Sequence, residues 1–469
     1  MMMAVPTSPL PHFEPFVPTL RPNFWIEFHL ARSSVRIPLC YISRDATAKK
    51  VNSNHCRDLG HDRQASTIST MTPASSGLRV VTIWSTYGDY HIARLAALAK
   101  YGFQVVPFAR CEYDKKYPFF QAKPASLVVI NRGSADRIRQ VMSLWRTWRL
   151  LRIHQPDIVV TSGYERFESL AACLYARTSR RGRRRRPVVV LLVNNRAEDH
   201  PRRKPVERVK AAYLNVFDGF LASGSDTRDY LARLGVPSSK IEFGLNCVDN
   251  DEIAMLVAKH RVVIEAADRK VGYFLCIARL VAAKNIRGVL NAYHSYRRKL
   301  SDSAVPTPLV ICGEGPERGA IEGLIQQLGL GELVTLLGEI EGLEAVAQQL
   351  AGCIALVLAS TSNETWGLVV NEAMAAGCPV LVSRQCGCAR DLVEHGANGF
   401  VFDGQDSDEL AGHLLWIHTN HEMLAAMGSR SKEIVRQFAP ERFAVSTAKL
   451  AAVGGSLARD QRSDNSQIA

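Results

Sequence analysis

Two carboxylates eight positions apart, Glu364 and Glu372, stand in the run N-E-T-W-G-L-V-V-N-E-A-M-A-A-G from Asn363 to Gly377. The run follows an apolar segment, Cys353 to Ala359, with Ser360, Thr361 and Ser362 between them. That order reads as strand, loop and helix. On a helix the spacing is a rise of about 12 Å and a little over two turns, so both acids can lean to one side. The backbone amides near Thr365, Trp366 and Gly367 then form an anion site at the helix mouth. An anion site between two hydroxyl-binding carboxylates suits a ligand of the form sugar, diphosphate, ribose.

Three further segments can serve such a ligand. In C-I-A-R-L-V-A-A-K-N, Arg279 and Lys284 sit just past the end of a strand, where open parallel sheets bind ligands. A planar fork and a point charge together can neutralise a diphosphate leaving group. Taken alone the pair also fits two solvated charges at a helix start. In V-I-C-G-E-G-P-E, Gly313 and Gly315 flank Glu314 and permit a tight turn with close backbone approach to a ligand. An ordinary strand-to-helix turn has the same signature. The strand V-T-L-L-G-E-I ends at Gly338 and Ile340, where apolar and backbone groups can hold a base.

The elements needed to position these residues follow from the apolar pattern. Residues 1–76 are interrupted by prolines and lack a period, which predicts a poorly ordered extension. Met71, close before the first clear strand, suggests an internal translation start. From Leu78, short apolar strands alternate with helices as far as Asp249. One of these helices is expected from Ala135 to His154. A second alternating series runs from 250 to 440, with strands opening at Gly272, Pro308, Val334, Ile354, Pro379 and Gly399. The alternation predicts two parallel sheets, each with helices on both faces. Pro440 sets off a last helix, 441–453, able to pack back on the first domain, and 454–469 is expected to be a disordered tail.

Bulk properties narrow the function. A formal charge of +13 and a pI near 9.3 point to anionic partners. Eleven scattered cysteines fit reduced thiols better than a disulfide framework. Cys386-Gly387-Cys388 is too tight for a zinc knuckle, so no metal is expected. No apolar run is long enough to span a bilayer and no secretory signal is evident, which predicts a cytoplasmic protein or one lying on a membrane face.

In order along the chain, Arg279, Lys284, Gly313 to Pro316, Gly338, Glu364 and Glu372 resemble the retaining nucleotide-sugar glycosyltransferases of family 4, the glycosyl transferases group 1. The resemblance covers about Leu78 to Val453 and is strongest from Tyr273 to Phe402. It implies the α/β GT-B architecture, two doubly wound Rossmann-like domains facing across a cleft: an acceptor domain at 77–249 and a donor domain at 250–440. It implies that Arg279 and Lys284 bind the donor diphosphate, Glu364 the donor sugar and Glu372 the nucleotide ribose. Gly313, Gly315, Ile340, Thr365, Trp366, Gly367, Leu368 and Val369 complete the implied donor site. The implied co-substrate is a UDP- or GDP-sugar, without cofactor or metal, and the acceptor a glycan, a lipid-linked molecule or a small molecule. The resemblance also implies a part in cell-envelope polysaccharide synthesis.

On the acceptor side, Gly88, Asp89, His91, Tyr164 and Glu165 end strands at the same sheet edge. The family commonly has a glycine-rich loop where this chain has only Gly88, and many relatives carry a histidine where Tyr164 and Glu165 stand. Capping or surface roles fit Asp89, His91 and Glu165 equally well. A nucleotide-sugar epimerase and a non-catalytic, membrane-associated scaffold are the alternatives.

Two basic features remain: the arginine cluster 180–186, and Arg137, Arg139, Arg146, Arg149 and Arg152 beside Ile138, Val141, Met142 and Trp145. Basic residues with tryptophan can seat a domain on anionic lipid at the inner face of a membrane. Amphipathicity favours instead a helix packed on its sheet with a solvated basic rim. Nucleic acid is not expected as a partner, because no recognised module accompanies the charge.

Overall fold

The computed structural model describes residues 25–30, 33–38, 77–114, 123–124, 126–134, 140–179, 186–199, 201–266, 272–362 and 364–466. The chain divides into two units, Met1–Thr67 and Ile68–Ala469. In the first unit, β1 (Trp25–Leu30) and β2 (Ser33–Pro38) pair as an antiparallel hairpin. A hairpin was not expected there; its alternation, W-I-E-F-H-L against S-S-V-R-I-P, is the strand signal that the surrounding prolines obscure.

The second unit holds two parallel sheets. The first uses β3 (Arg79–Trp84), β4 (Gln104–Tyr113), β5 (Val128–Ser134), β6 (Ile158–Ser162), β7 (Val188–Val193), β8 (Gly219–Ala222) and β9 (Ile241–Glu242), in the order β5-β4-β3-β6-β7-β8-β9. Its helices are α1 (Asp89–Lys100), α2 (Gln140–His154), α3 (Phe167–Thr178), α4 (Lys204–Leu214) and α5 (Ser225–Arg233). Residues 135–139, where α2 was expected to begin, and the arginine cluster at 180–185 lie outside the described residues. Helix α5 was missed from sequence because S-D-T-R-D-Y-L-A-R shows few apolar residues; only Thr227, Tyr230 and Leu231 are buried.

After α6 (Asn250–Ala266), the second sheet contains β10 (Tyr273–Ile277), β11 (Leu309–Cys312), β12 (Val334–Gly338), β13 (Cys353–Leu358), β14 (Val380–Ser383) and β15 (Gly399–Phe402), ordered β12-β11-β10-β13-β14-β15. It is covered by α7 (Ile286–Lys299), α8 (Arg318–Gln327), α9 (Gly342–Ala351), α10 (Leu368–Ala375), α11 (Ala389–Leu392), α12 (Ser407–Thr419) and α13 (Leu424–Val435). Strand side chains alternate between faces. Phe274, Cys276, Val357 and Leu381 meet α7, α8 and α12, while Leu275, Leu356, Val380 and Val382 meet α6, α9, α10 and α13. Both faces are covered, which is why these strands read as continuous apolar runs.

The last helix, α14 (Pro440–Ser466), packs against α1, β7 and β8 of the first sheet. Phe443 and Leu450 are fully buried there. A Cβ on Gly219 would sit 3.0 Å from Leu450, so glycine lets this helix lie close to β8. Helix α14 extends to Ser466 where a tail was expected after Val453. Among the described residues, no helix is long and apolar enough to cross a membrane.

Candidate active site

The residues expected on the donor side stand at the C-terminal edge of the second sheet, in the loops after β10, β11, β12 and β13 and, for Leu368, Val369 and Glu372, on α10. After β10 the chain makes a 3-10 turn at Ala282–Lys284 and enters α7 through Asn285, whose φ of 54° is left-handed. The Asn285 side chain caps α7 by accepting from Gly288 N–H at 3.2 Å and donates to the Gly404 carbonyl at 2.7 Å. This doubly tied residue fixes Lys284. The loop after β13 is held to the same turn, with Thr361 N–H donating to Ala283 O at 2.9 Å.

These ties bring Lys284 and Glu364 together. Lys284 Nζ donates to Glu364 Oε2, and Ser360 Oγ donates to the same oxygen at 3.2 Å. Both ionic side chains are largely buried, 18% and 12% exposed, so each depends on the other for charge compensation. Arg279 is exposed and, among the described residues, its guanidinium has no partner. An open cation in the same β10–α7 connection as a paired one is suited to an incoming diphosphate.

The organising stretch differs from expectation in one respect. Helix α10 begins at Leu368, after Gly367 at φ 105° and ψ 69°. Glu364 therefore lies in the loop and Glu372 on the helix, so the pair is not related by one continuous helical rise. Among the described residues, no acceptor meets the amides of Thr365, Trp366, Gly367, Leu368 and Val369. They can bind an anion. The Trp366 side chain does not face this site: it is 3% exposed, stacks near Phe438 at 5.7 Å, and donates from Nε1 to Asn371 Oδ1 at 2.8 Å. Its contribution is confined to the backbone.

Gly313 and Gly315 serve the loop rather than leaving space for a ligand. Cβ atoms there would lie 1.9 Å from the Ala278 carbonyl oxygen and 2.3 Å from that of Leu280. The glycines let the β11 loop lie on the Arg279 loop, joined by Leu280 N–H to Glu314 O at 2.8 Å. Ile340 is half-buried at the end of this row, against the core under α9 and α10.

Glu372 is half-buried on α10. Burial pushes its pKa up to about 7, and the Asp89 carboxylate of the first domain raises it further. Asp89 is exposed at the first turn of α1. His91, by contrast, is a structural residue. Its Nδ1 accepts from the Gly88 N–H at 3.0 Å, tying the first turn of α1 back to its N-cap, and its ring packs on Trp84 and Tyr90. Burial, reinforced by Arg94, holds the imidazole pKa well below its usual value. Tyr164 is half-buried with Lys210 Nζ 5.3 Å over its ring, and burial pushes its hydroxyl up to about 12. Glu165 is exposed and pairs with Arg166 at 3.8 Å. The acceptor-side residues are thus spread along one edge rather than gathered round a shared group.

Sequence reasoning missed the seam between the sheets. Ser225 donates to Asp391 through both N–H, at 2.9 Å, and Oγ, at 2.5 Å, so a carboxylate of the second domain caps the first domain's α5. Arg390 pairs with Asp226 and Asp229. Arg196, held by Asp199, donates to the Gln385 carbonyl at 2.9 Å. The adjoining Gly387 N–H donates to Glu364 O at 3.0 Å, and a Cβ there would lie 2.1 Å from Thr365 O. Cys386-Gly387-Cys388 is therefore a packing turn with both thiols buried. Asn371 was the available signal: a polar residue among Val370, Ala373 and Met374, fully buried, and reaching Asn246 O at 3.5 Å.

This two-sheet arrangement matches two family descriptions in succession. A Glycosyl transferase 4-like domain matches residues 91–246, and Glycosyl transferases group 1 matches residues 261–434. The chain is a family 4 glycosyltransferase of the GT-B fold. A GDP-mannose-dependent alpha-(1-6)-phosphatidylinositol monomannoside mannosyltransferase of Mycobacterium tuberculosis is 32% identical over 182 residues, 38% of this chain and 46% of that protein. An alpha-monoglucosyldiacylglycerol synthase of Acholeplasma laidlawii is 27% identical over 177 residues, 38% of this chain and 42% of its own length. The chain spans less than half the length of these curated relatives. Among solved structures, Anabaena HepE in complex with UDP and glucose has a TM-score of 0.57 at 17% identity, covering 82% of this chain and 100% of that one. Sucrose-phosphate synthase from Thermosynechococcus elongatus has a TM-score of 0.61 at 19% identity, covering 80% and 98%. At these identities the structures share the fold.

Proposed function

We propose that this family 4 chain transfers a hexosyl group from a UDP- or GDP-sugar to a glycan, lipid-linked or small-molecule acceptor, with retention at the anomeric carbon. The observation that carries this reading is the Lys284–Glu364 pair beside the unpartnered amides of 365–369. Cleavage of the donor leaves positive charge on the sugar and new negative charge on the diphosphate. Arg279, Lys284 and the amides face that negative charge as it develops. Lys284 exchanges Glu364 for the phosphate, and Glu364 turns to accept from the sugar hydroxyls. Glu372 accepts from the ribose. The departing phosphate oxygen takes the acceptor's proton on the face the leaving group vacates, which preserves configuration. Closure of the first domain over the donor excludes water.

The GDP-mannose and phosphatidylinositol in the name of the mycobacterial relative, and the UDP held by Anabaena HepE, support a nucleotide-sugar donor and allow a membrane-borne acceptor. A thermal-shift screen against UDP, GDP and ADP tests the donor half. One nucleotide should raise the melting midpoint in the wild type and not in Lys284→Ala. No shift with any of the three contradicts the reading.

A further inference from the structure

Helix α2 is turned inside out. Its buried residues are Ser143, Thr147 and Leu151. Val141, Met142, Trp145 and Ile153 are 68%, 42%, 50% and 60% exposed. This reverses the sequence expectation that the apolar residues pack on the sheet. The reason lies beneath the helix: Glu168, buried and paired with Arg110, takes a hydrogen bond from Ser143 Oγ, which itself accepts from Asn131 Nδ2 at 2.8 Å. A hydroxyl is needed on the inner face; Trp148, Leu150 and Leu151 still pack on the core, while Val141, Met142, Trp145 and Ile153 are left outside.

The outward face also carries the exposed Arg149 and Arg152, while Arg146 reaches back to Asn131 Oδ1 at 3.2 Å. The Arg149 guanidinium lies 5.5 Å from the centre of the Trp145 ring, and that of Arg152 lies 4.8 Å from Trp148. Q-V-M-S-L-W-R-T-W-R-L-L-R-I-H contains no carboxylate. Residues 141, 142, 145, 149, 152 and 153 fall on one side at helical spacing. A face of large apolar groups set among cations, with no acid, is complementary to one kind of surface: an anionic headgroup layer over hydrocarbon. A second copy would bring arginines against arginines. Nucleic acid would match the charge and leave Val141, Met142 and Ile153 without apolar cover.

Topology gives the face a direction. Helix α2 runs back from β5 to β6, so its first turns, with Val141, Met142 and Trp145, lie toward the sheet edge that carries Tyr164 and Glu165. We propose that this α2 face docks the first domain on an anionic bilayer, with the acceptor edge of the sheet toward the lipid. The inference deepens the reading of a membrane-borne acceptor, yet its test does not depend on sugar transfer.

The full chain is sedimented with phosphatidylcholine vesicles containing phosphatidylglycerol, and with phosphatidylcholine alone. The wild type should be retained on the mixed vesicles, released by salt, and not retained on the neutral ones. Arg149→Gln and Arg152→Gln should each weaken retention about fivefold. Trp145→Ala should weaken it while leaving the salt dependence in place. These side chains are exposed, so unchanged far-ultraviolet circular dichroism is expected for all three variants. Absence of wild-type retention, equal retention on neutral vesicles, or wild-type retention by all three variants overturns the proposal. Vesicle binding without sugar transfer would leave the docking face standing and remove the enzymatic reading.

Discussion

Lys284 donates to the Glu364 carboxylate from the turn that opens α7, so a residue after β10 and a residue after β13 share one charge pair. The pair couples the two loops expected to grip the diphosphate and the sugar. Lys284→Ala leaves Glu364 buried with only Ser360 as a donor among the described side chains. It should cost about 3 kcal/mol in urea denaturation, the range for breaking a buried pair. Lys284→Met with Glu364→Gln should recover most of that loss while remaining inactive. Equal stability of the single and double variants would show the pair to be loosely solvated.

Glu372 gives the site a pH dependence with a definite sign. Its pKa is raised to about 7 from 4.5, by burial first and then by Asp89. The protonated form therefore favours the folded state, a contribution present below pH 4.5 and lost as pH rises through about 7. Glu372→Gln should be more stable than the wild type at pH 8, by at most about 3 kcal/mol. Nucleotide binding, which needs the carboxylate as ribose acceptor, should strengthen through the same range. Calorimetric titration with the preferred nucleoside diphosphate should show this midpoint moving down in Asp89→Asn. The Glu372-dependent part should vanish in Glu372→Gln.

His91 separates capping from chemistry. Because its Nδ1 accepts from Gly88 N–H, His91→Ala should lose about 1 kcal/mol of stability. Glutamine reaches back in the same way, so His91→Gln should keep both stability and turnover. A loss of turnover of a hundredfold or so in His91→Gln, with stability intact, would instead mark an acid–base group.

The β11 loop offers a paired test of backbone packing. Gly313→Ala places a methyl 1.9 Å from the Ala278 carbonyl at a φ of 142°. It should displace the Arg279 loop, destabilise the domain by about 2 kcal/mol or more, and weaken nucleotide binding. Gly319→Ala, on α8 with open space around its Cβ, should stabilise by about 0.5–1 kcal/mol. Chemical denaturation of the two variants side by side measures the contrast.

The second sheet was legible because strands buried on both faces write themselves as apolar runs, and the residues expected at the site could be placed because they stand where those strands end. Arg279, Lys284, Glu364 and Glu372 all fall at one sheet edge. The left-handed Gly367, which separates the two glutamates, carries no periodic signal. Nor does the turning inward of Trp366, which packs in the core against Phe438 and donates to Asn371. The seam was illegible for another reason: Ser225 and Asp391 are 166 residues apart, and neither is unusual in its own neighbourhood. On α2, periodicity located the apolar stripe correctly and could not say which way it faced. That was decided by Glu168, on a different helix.

The most direct measurement is donor consumption under saturating acceptor, with the nucleotide sugar selected by thermal shift, in the wild type and in Glu364→Gln. The wild type should release nucleoside diphosphate and form a product of retained configuration. Glu364→Gln should still bind the nucleotide and turn over about a hundredfold or more slower. Turnover near the wild-type rate in Glu364→Gln would contradict the account at its centre.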